Sequence, residues 1–152
     1  GYLNRPEAMA DTVADGWLHT GDVGYIDEDG FVFLVDRLKD LIISSGENVY
    51  PREIEEAAVQ FEGVAEAAVI GVPDKLRGEA ICIYVVPRPG ARVDLKALRQ
   101  YLLGRVAPYK VPREYFLVPE LPKTGLGKVR KPELRKRAIE MLSENKLAGR
   151  VL

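Results

Sequence analysis

The sequence is poor in the residues on which several kinds of site depend. Its 152 residues include one cysteine, one histidine and one tryptophan. The single cysteine, Cys82, excludes a disulfide within the chain and a thiolate metal site. It lies in the apolar run AICIYVV, so we expect a buried thiol rather than a nucleophile. The single histidine, His19, leaves no Ser-His-Asp constellation, and we expect it to be a packed or capping residue.

Long apolar segments are also absent. No apolar run approaches the roughly 20 residues that a membrane-spanning helix requires, and residues 1–16 lack the basic start and apolar core of a signal peptide. With 47% apolar residues, the chain can bury the core of one compact domain with an appended segment. We therefore expect a soluble, cytoplasmic protein without a transmembrane segment.

Charge is distributed unevenly along the chain, although the net charge is only −1. Residues 1–35 contain one arginine and seven acidic residues, whereas residues 119–152 contain nine basic and four acidic residues. A basic segment is compatible with nucleic acid, with an anionic small molecule or with a solvated helix. Single-stranded nucleic acid is bound by aromatics placed between cations, and no aromatic residue follows Phe116. We therefore expect no nucleic-acid partner.

Local patterns predict an α+β fold. Two successive β-hairpins are indicated by the turn DEDG within residues 23–35 and by the turn in LIISSGENVY. Helical periodicity, N-terminal prolines and a capping aspartate then predict further elements. These are helices at 51–61, 94–106 and 132–147, and strands at 64–72, 79–87 and 114–118. The order predicts an N-terminal hairpin segment followed by a small mixed sheet flanked by helices.

A lysine stands between glycine and valine in LPKTGLGKVRK, residues 121–131. A phosphate-binding loop would need a glycine where Pro122 stands, and a serine or threonine where Val129 stands. Lys128 is therefore not a lysine of that motif. The two glycines of this stretch would let the loop deliver a side chain into a neighbouring site. From the spacing alone, that interpretation and a solvated loop tip are equally good.

Three stretches taken together resemble a known family. GWLHTGDVGYIDEDG, VDRLKDLIISSGENVYPREIEEA and PKTGLGK stand in the order found in the C-terminal part of the adenylate-forming superfamily. This superfamily contains acyl-CoA synthetases, the adenylation domains of peptide synthetases and firefly-type luciferases. GYLNRPEAM, VPDKLRGE and VAPYKVPREYFLVPELP also fall in the expected places. The resemblance implies that residues 1–35 end a large N-terminal adenylation domain, here incomplete, and that residues 36–152 form the mobile C-terminal lid domain.

The resemblance also implies an activity. A carboxylic acid and ATP, with Mg²⁺ bound mainly by the N-terminal domain, would give an acyl-adenylate, and coenzyme A would then displace AMP. GENVYPREIE is similar to fatty-acyl-type synthetases, whereas Ile43 and Ser45 stand where luciferase-like members have lysines. Two other interpretations stay open. One is a peptide-synthetase-type domain that loads a carrier protein, and the other is a non-catalytic interaction module.

The same resemblance implies roles for individual residues on the nucleotide side. Asp22 would accept hydrogen bonds from the ribose hydroxyls, and Arg37 would contact the nucleotide with its guanidinium fork. Asp36 would be the hinge about which the lid domain turns. Lys128 would bind ATP and be the catalytic lysine of adenylation. Without the resemblance, Asp22 is an acidic turn residue and Asp36 an exposed strand end.

The ISSGEN turn is expected to bind coenzyme A. There the resemblance implies that Gly46 lets the backbone approach the pantetheine arm. Ser44, Ser45 and Glu47 would line the same turn. For these three residues, a plain hairpin tip is an equally good interpretation.

Overall fold

The computed structural model describes residues 12–147, and the chain divides into two compact units, residues 1–39 and 40–152. This division falls after Lys39, whereas the sequence predicted a domain boundary between residues 35 and 36. Residues 1–11, which include the family-like segment GYLNRPEAM, lie outside the described residues.

The described part of the first unit, from residue 12 onward, consists of two antiparallel hairpins. The strands β1 (Val13–Ala14) and β2 (Trp17–Leu18) pair with each other, and β3 (Asp22–Ile26) pairs with β4 (Val32–Arg37). The second hairpin confirms the prediction made around DEDG. Its turn forms because the Asp27 carboxylate accepts the backbone N–H groups of Asp29 and Phe31, at 3.1 and 2.8 Å.

Much of the first unit's apolar surface is exposed. Trp17 is 77% exposed and Ile26 is 69% exposed. The rings of Tyr25 and Phe33 stack on the β3–β4 hairpin, with their centroids 5.0 Å apart. His19 is exposed as well. Within the described residues His19 is therefore not packed, because the two hairpins are too small to enclose it, and the alternative that it is a capping residue stays a prediction.

Within its described residues, the second unit contains five strands and three helices. In chain order these are β5 (Ile42–Ser44), β6 (Glu47–Val49), α1 (Pro51–Val59), β7 (Val64–Asp74), β8 (Gly78–Pro87), α2 (Leu95–Leu103), β9 (Glu114–Leu117) and α3 (Lys131–Leu147). The sheet order is β6-β5-β8-β7, and β9 runs parallel to β8 on the side opposite β7. The predicted α+β class, with a mixed sheet flanked by helices, is confirmed.

Both faces of the central strands are buried. Val69, Ile83 and Val85 face a core that includes Ile54 of α1 and Leu98 of α2. The alternate residues of β7 and β8 face a second core with Leu134 and Ala138 of α3. This arrangement explains the unbroken apolar run AICIYVV, since a strand covered on both faces has no polar side. It also explains why Cys82 is fully buried, as expected.

Local signals fix the helices. Pro51 occupies the first turn of α1, and the Asp94 carboxylate accepts the N–H groups of Lys96 and Ala97 at the start of α2. The helix α3 is fastened to the sheet by the Tyr84 hydroxyl, which donates to the Leu134 carbonyl at 3.0 Å. Within residues 12–147, none of the helices is both long and apolar enough to cross a membrane.

Candidate functional site

Asp22 and Arg37 meet in the first unit. They are register partners in β3 and β4, and Arg37 Nε lies 3.3 Å from Asp22 Oδ1. Their side chains are 26% and 49% exposed, so both remain accessible to a ligand. A carboxylate offers acceptors to hydroxyl groups, and a guanidinium offers donors to phosphate oxygens. The pair can therefore bind a polyhydroxylated anion.

Asp36, the predicted hinge, lies inside β4 opposite Val23. Its Oδ1 accepts the N–H of Arg37 at 2.7 Å. The boundary between the two units lies further on, between Lys39 and Asp40, inside the short 3₁₀ turn Leu38–Asp40. A strand residue held by ladder pairing is less free to change its φ and ψ angles than a residue of that turn.

The ISSGEN turn is a tight two-residue hairpin between β5 and β6. Ser45 and Gly46 both have positive φ angles, 55° and 83°, as a type I′ turn requires. Ser44 is only 6% exposed, and its hydroxyl donates to the Glu79 carbonyl at 2.7 Å. Ser45, Gly46 and Glu47 are exposed. The turn therefore presents backbone and small side chains to solvent, while Ser44 attaches it to the sheet.

A small basic pocket of about 50 Å³ adjoins this turn. Its lining consists of Ser44, Ser45, Arg77, Ile81, Tyr109, Val111 and Arg113. Arg77 comes from the β7–β8 turn, and its carbonyl accepts the Ser45 N–H at 2.8 Å. Tyr109 follows Pro108 in a 3₁₀ turn, and Lys110 fixes that turn through a 2.6 Å ion pair with Glu53. This hydrogen bond to Glu53 raises the pKa of Lys110. Two arginines and a phenol thus surround a place where an anion can bind.

The predicted lysine loop is also a hairpin, although a shorter and less regular one. Lys123 and Val129 form an isolated β-bridge. Between them, the Thr124 N–H donates to the Lys128 carbonyl at 2.8 Å, and the Gly127 N–H donates to the Thr124 carbonyl at 2.9 Å. Gly127 has a φ angle of +78°, which favours glycine, whereas Gly125 does not have a positive φ angle. The loop is therefore shaped by Gly127 and Thr124.

Lys128 stands at the exposed end of this loop. Its backbone N–H donates to Thr124 Oγ1 at 3.2 Å. By contrast, Lys123 and Lys131 pair with Glu66 and Glu55, at 2.6 and 2.8 Å. Among the side chains of residues 12–143, no carboxylate lies within ion-pair distance of the Lys128 ammonium. This ammonium is thus available to a ligand.

The structure brings some of the predicted residues together and adds others. Asp22 and Arg37 form a pair in the first unit, while the ISSGEN turn and the lysine loop belong to the second. Arg77, Tyr109 and Arg113 were missed by sequence reasoning, which assigned them only to loops and connectors. Arg77 and Arg113 stand immediately before β8 and β9, and no local sequence pattern marked them as a site. Their meeting with Ser45 depends on the pairing of β5 with β8, through Ser44 and Gly78.

Residues 53–128 match the family of AMP-binding enzyme C-terminal domains. The chain belongs to this family. A long-chain-fatty-acid–CoA ligase of Bacillus subtilis is 49% identical over 145 residues, which cover 95% of this chain and 25% of that protein. A feruloyl-CoA synthase of an Amycolatopsis species is 50% identical over 137 residues, which cover 90% of this chain and 28% of that protein.

Solved structures show the same likeness. ATP-bound MatB from Rhodopseudomonas palustris superposes with a TM-score of 0.85 at 40% identity, over 93% of this chain and 28% of that one. The amide bond synthetase McbA from Marinactinospora thermotolerans gives a TM-score of 0.82 at 42% identity, over 91% of this chain and 28% of that one. The chain thus spans about a quarter of the length of the relatives that it matches.

In the part of the chain that the structure describes, no three His, Cys, Asp or Glu residues lie close enough together to form a metal site.

Proposed function

We propose that this AMP-binding enzyme C-terminal domain is the mobile part of an ATP-dependent acyl-CoA synthetase. In the proposed enzyme, a large N-terminal domain precedes residue 36 or the unit boundary after Lys39. A carboxylate oxygen of the acid would attack the α-phosphate of ATP to form the acyl-adenylate, and pyrophosphate would leave. Mg²⁺, held mainly by the N-terminal domain, would supply positive charge for the phosphates. The thiol of coenzyme A would then attack the acyl carbon of the adenylate, and AMP would leave.

The observation that supports adenylation is the unpaired Lys128 ammonium on a glycine-containing loop. Negative charge is present on the attacking carboxylate and increases around the α-phosphate as the new bond forms. A lysine placed beside these oxygens stabilises that charge, and a single such contact is typically worth ~3–4 kcal/mol, or about a hundred- to a thousandfold in rate. Lys123 and Lys131 are held by carboxylates and are less suited to this role.

Asp22 and Arg37 are proposed to hold the nucleotide. The accessible carboxylate of Asp22 can accept the ribose hydroxyls, and Arg37, which stands beside it at 3.3 Å, can donate to a phosphate or ribose oxygen. Asp22→Asn keeps the size of the side chain but removes its charge. We expect it to raise the KM for ATP more than tenfold. A KM for ATP equal to that of the unsubstituted enzyme would exclude this role.

The exposed turn Ser45–Glu47 and the adjoining basic pocket are proposed to bind coenzyme A. Gly46 would let the pantetheine arm pass close to the backbone. Arg77 and Arg113 would bind its phosphate groups, because guanidinium groups form paired hydrogen bonds with phosphate. Ser44 was predicted to contact coenzyme A too. Its buried hydroxyl is already bonded to Glu79, so we assign it the support of the turn.

The acid is proposed to be a fatty acid. The likeness to long-chain-fatty-acid–CoA ligases of Bacillus subtilis and Salmonella typhimurium, at 49% and 46% identity, supports this choice. Feruloyl-CoA synthase and 2-succinylbenzoate–CoA ligase are similarly related, at 50% and 44%. Comparing fatty, aromatic and dicarboxylic acids in ATP–pyrophosphate exchange would decide the point. A clear preference for an aromatic acid would refute it.

A second candidate differs in the acceptor. A fatty acid–[acyl-carrier-protein] ligase, ScoC, is 45% identical over 136 residues, which favours the thiol of a carrier protein's phosphopantetheine. This arm has the same chemistry as the corresponding part of coenzyme A. The two acceptors are distinguished by supplying each with the acyl-adenylate. Acyl transfer to carrier protein alone would replace our first proposal with the second.

The experiment for the proposal as a whole uses Lys128→Ala in the longer enzyme. We expect ATP–pyrophosphate exchange to fall about a hundred- to a thousandfold. A synthetic acyl-adenylate with coenzyme A should still give thioester at nearly the unsubstituted rate. Lys136→Ala is the matched control, since it removes an exposed lysine of α3. Unchanged exchange in Lys128→Ala, or equal losses in both half-reactions, would contradict the catalytic role proposed for Lys128. An absence of exchange in the unsubstituted longer protein would instead favour an interaction module.

A further inference from the structure

Both ends of the lysine loop are tied to the same neighbouring strand. At the start of the loop, Lys123 Nζ lies 2.6 Å from Oε2 of Glu66 in β7. At its end, Lys131 Nζ lies 2.8 Å from Oε1 of Glu55 in α1. The same Glu55 oxygen accepts the backbone N–H of Val69 in β7, at 2.8 Å. Two carboxylates therefore connect the loop to one strand.

The backbone closes the loop between these two ion pairs. The Arg130 N–H donates to the Pro122 carbonyl at 2.8 Å, and Lys123 bridges to Val129. Because the two ends are bonded to each other, a shift of either end moves the turn that contains Lys128. The position of the Lys128 ammonium thus depends on Glu55 and Glu66, although neither residue touches it.

The two ion pairs differ in their exposure. Lys131 and Glu55 have side chains 16% and 21% exposed, so removing one partner leaves a partly buried charge without compensation. Lys123 and Glu66 are 39% and 41% exposed, and water screens this pair more strongly. The Glu55 carboxylate also accepts a hydrogen bond from the backbone N–H of Val69 in β7, at the edge of the sheet. The pair at the end of the loop should therefore restrain it more firmly than the pair at its start.

We propose that Glu55 and Glu66 are positioning residues for adenylation. They act through Lys131 and Lys123 to hold the loop in the arrangement in which Lys128 reaches the reacting oxygens. This inference rests on the proposed role of Lys128. A displacement of about 1 Å at a reacting group can lower a rate about a hundredfold. We expect Lys131→Gln to slow adenylation about ten- to a hundredfold, and Glu66→Lys to slow it by about three- to tenfold.

The test measures both half-reactions in the longer enzyme. Glu66→Lys and Lys123→Glu each break the exposed pair, while the double variant restores it with the charges reversed. For the other pair, Lys131→Gln is compared with Lys131→Arg, which keeps the positive charge. Lys136→Gln is the control, because it removes a charge from an exposed pair with Glu140 on α3. Each variant is assayed beside Lys128→Ala.

The expected result has four parts. The single variants lower kcat of pyrophosphate exchange without changing the KM for ATP, and the reversed pair and Lys131→Arg recover most of it. Thioester formation from a synthetic acyl-adenylate stays within about twofold, which a general loss of structure would not allow. Lys136→Gln behaves as the unsubstituted enzyme.

The failures can be told apart. If Lys128→Ala abolishes exchange but the variants of the two ion pairs leave it unchanged, the positioning role is wrong and the proposed function stands. If Lys128→Ala leaves exchange unchanged, the catalytic role proposed for Lys128 is wrong, and the positioning role of Glu55 and Glu66 loses its basis. If the reversed pair does not recover the rate, or if both half-reactions fall together, the ion pairs are structural and the inference is overturned.

Discussion

Replacing Gly46 with alanine separates two roles of the turn between β5 and β6. Gly46 has a φ angle of +83°, and a Cβ built on it meets no atom within 4 Å. The cost of alanine in this chain is therefore conformational rather than steric. For an L-residue in the left-handed region it is roughly 1–2 kcal/mol. In a chain of this length, that corresponds to a Tm lower by about 2–8 °C.

The proposed binding of coenzyme A adds a second effect. If the pantetheine arm passes against the backbone at Gly46, a methyl group occupies part of its path. Thioester formation should then fall more than tenfold, whereas adenylation should change by less than about threefold. The assay measures both half-reactions in the longer enzyme, at a temperature well below the midpoint of unfolding.

Two further variants isolate the cause. Gly90→Ala is the matched control, since Gly90 has a φ angle of +76° and a Cβ there also meets nothing within 4 Å. It should lose similar stability and no thioester formation. Gly46→Asn tolerates the left-handed conformation better but still adds a side chain, so it should keep stability and lose thioester formation. If both Gly46 variants form thioester as well as Gly90→Ala does, nothing approaches Gly46 closely and the reasoning is refuted.

Two other predictions concern the hinge and the core. Asp36→Pro and Lys39→Pro each fix the φ angle of the substituted residue, so the substitution at the hinge should hold the domain in one orientation. That variant should slow one half-reaction much more than the other. Equal losses of both half-reactions in each variant would place the hinge elsewhere. Burial raises the pKa of the Cys82 thiol from 9.0 to about 12, so the neutral thiol stabilises the fold fully below pH 9 and this stabilisation is lost as the pH rises through 12. Between these limits the free energy of unfolding should fall by up to about 1.4 kcal/mol per pH unit for this group. In urea titrations, Cys82→Ala should remove this fall in the free energy of unfolding between pH 9 and 10. An equal fall in the variant would show that Cys82 is not its cause.

Elements with local signals could be predicted from the sequence. The hairpin at 23–35 depends on the Asp27 turn, and α2 depends on the Asp94 cap, so a few neighbouring residues contain the information. The three helices and the paired strands were confirmed for the same reason. Strand ends were less predictable: β7 and β8 extend to Asp74 and Gly78, because their pairing continues through residues that favour turns.

The basic pocket could not be predicted, because no local pattern records which strands pair. Arg77 lies beside Ser45 because β5 pairs with the start of β8. Arg113 reaches the same pocket because its backbone N–H donates to the Ile81 carbonyl at 2.9 Å. Glu55 was equally hidden. The sequence analysis placed Glu55 only within a predicted helix, and its carboxylate accepts the backbone N–H of Val69 in β7. The family resemblance located Lys128 and not the residues that hold its loop.

The distribution of carboxylates explains why Lys128 differs from its neighbours. Glu66 and Glu55 pair with Lys123 and Lys131, and Glu133 pairs with Arg130 and Arg137. Each of these acids sits against a lysine or arginine whose backbone is already part of the loop base or of α3. Lys128 extends beyond them on the turn set by Gly127. An anion that approaches this turn therefore meets an ammonium for which it does not compete with a carboxylate of the described side chains, because the nearby acids pair with other lysines and arginines.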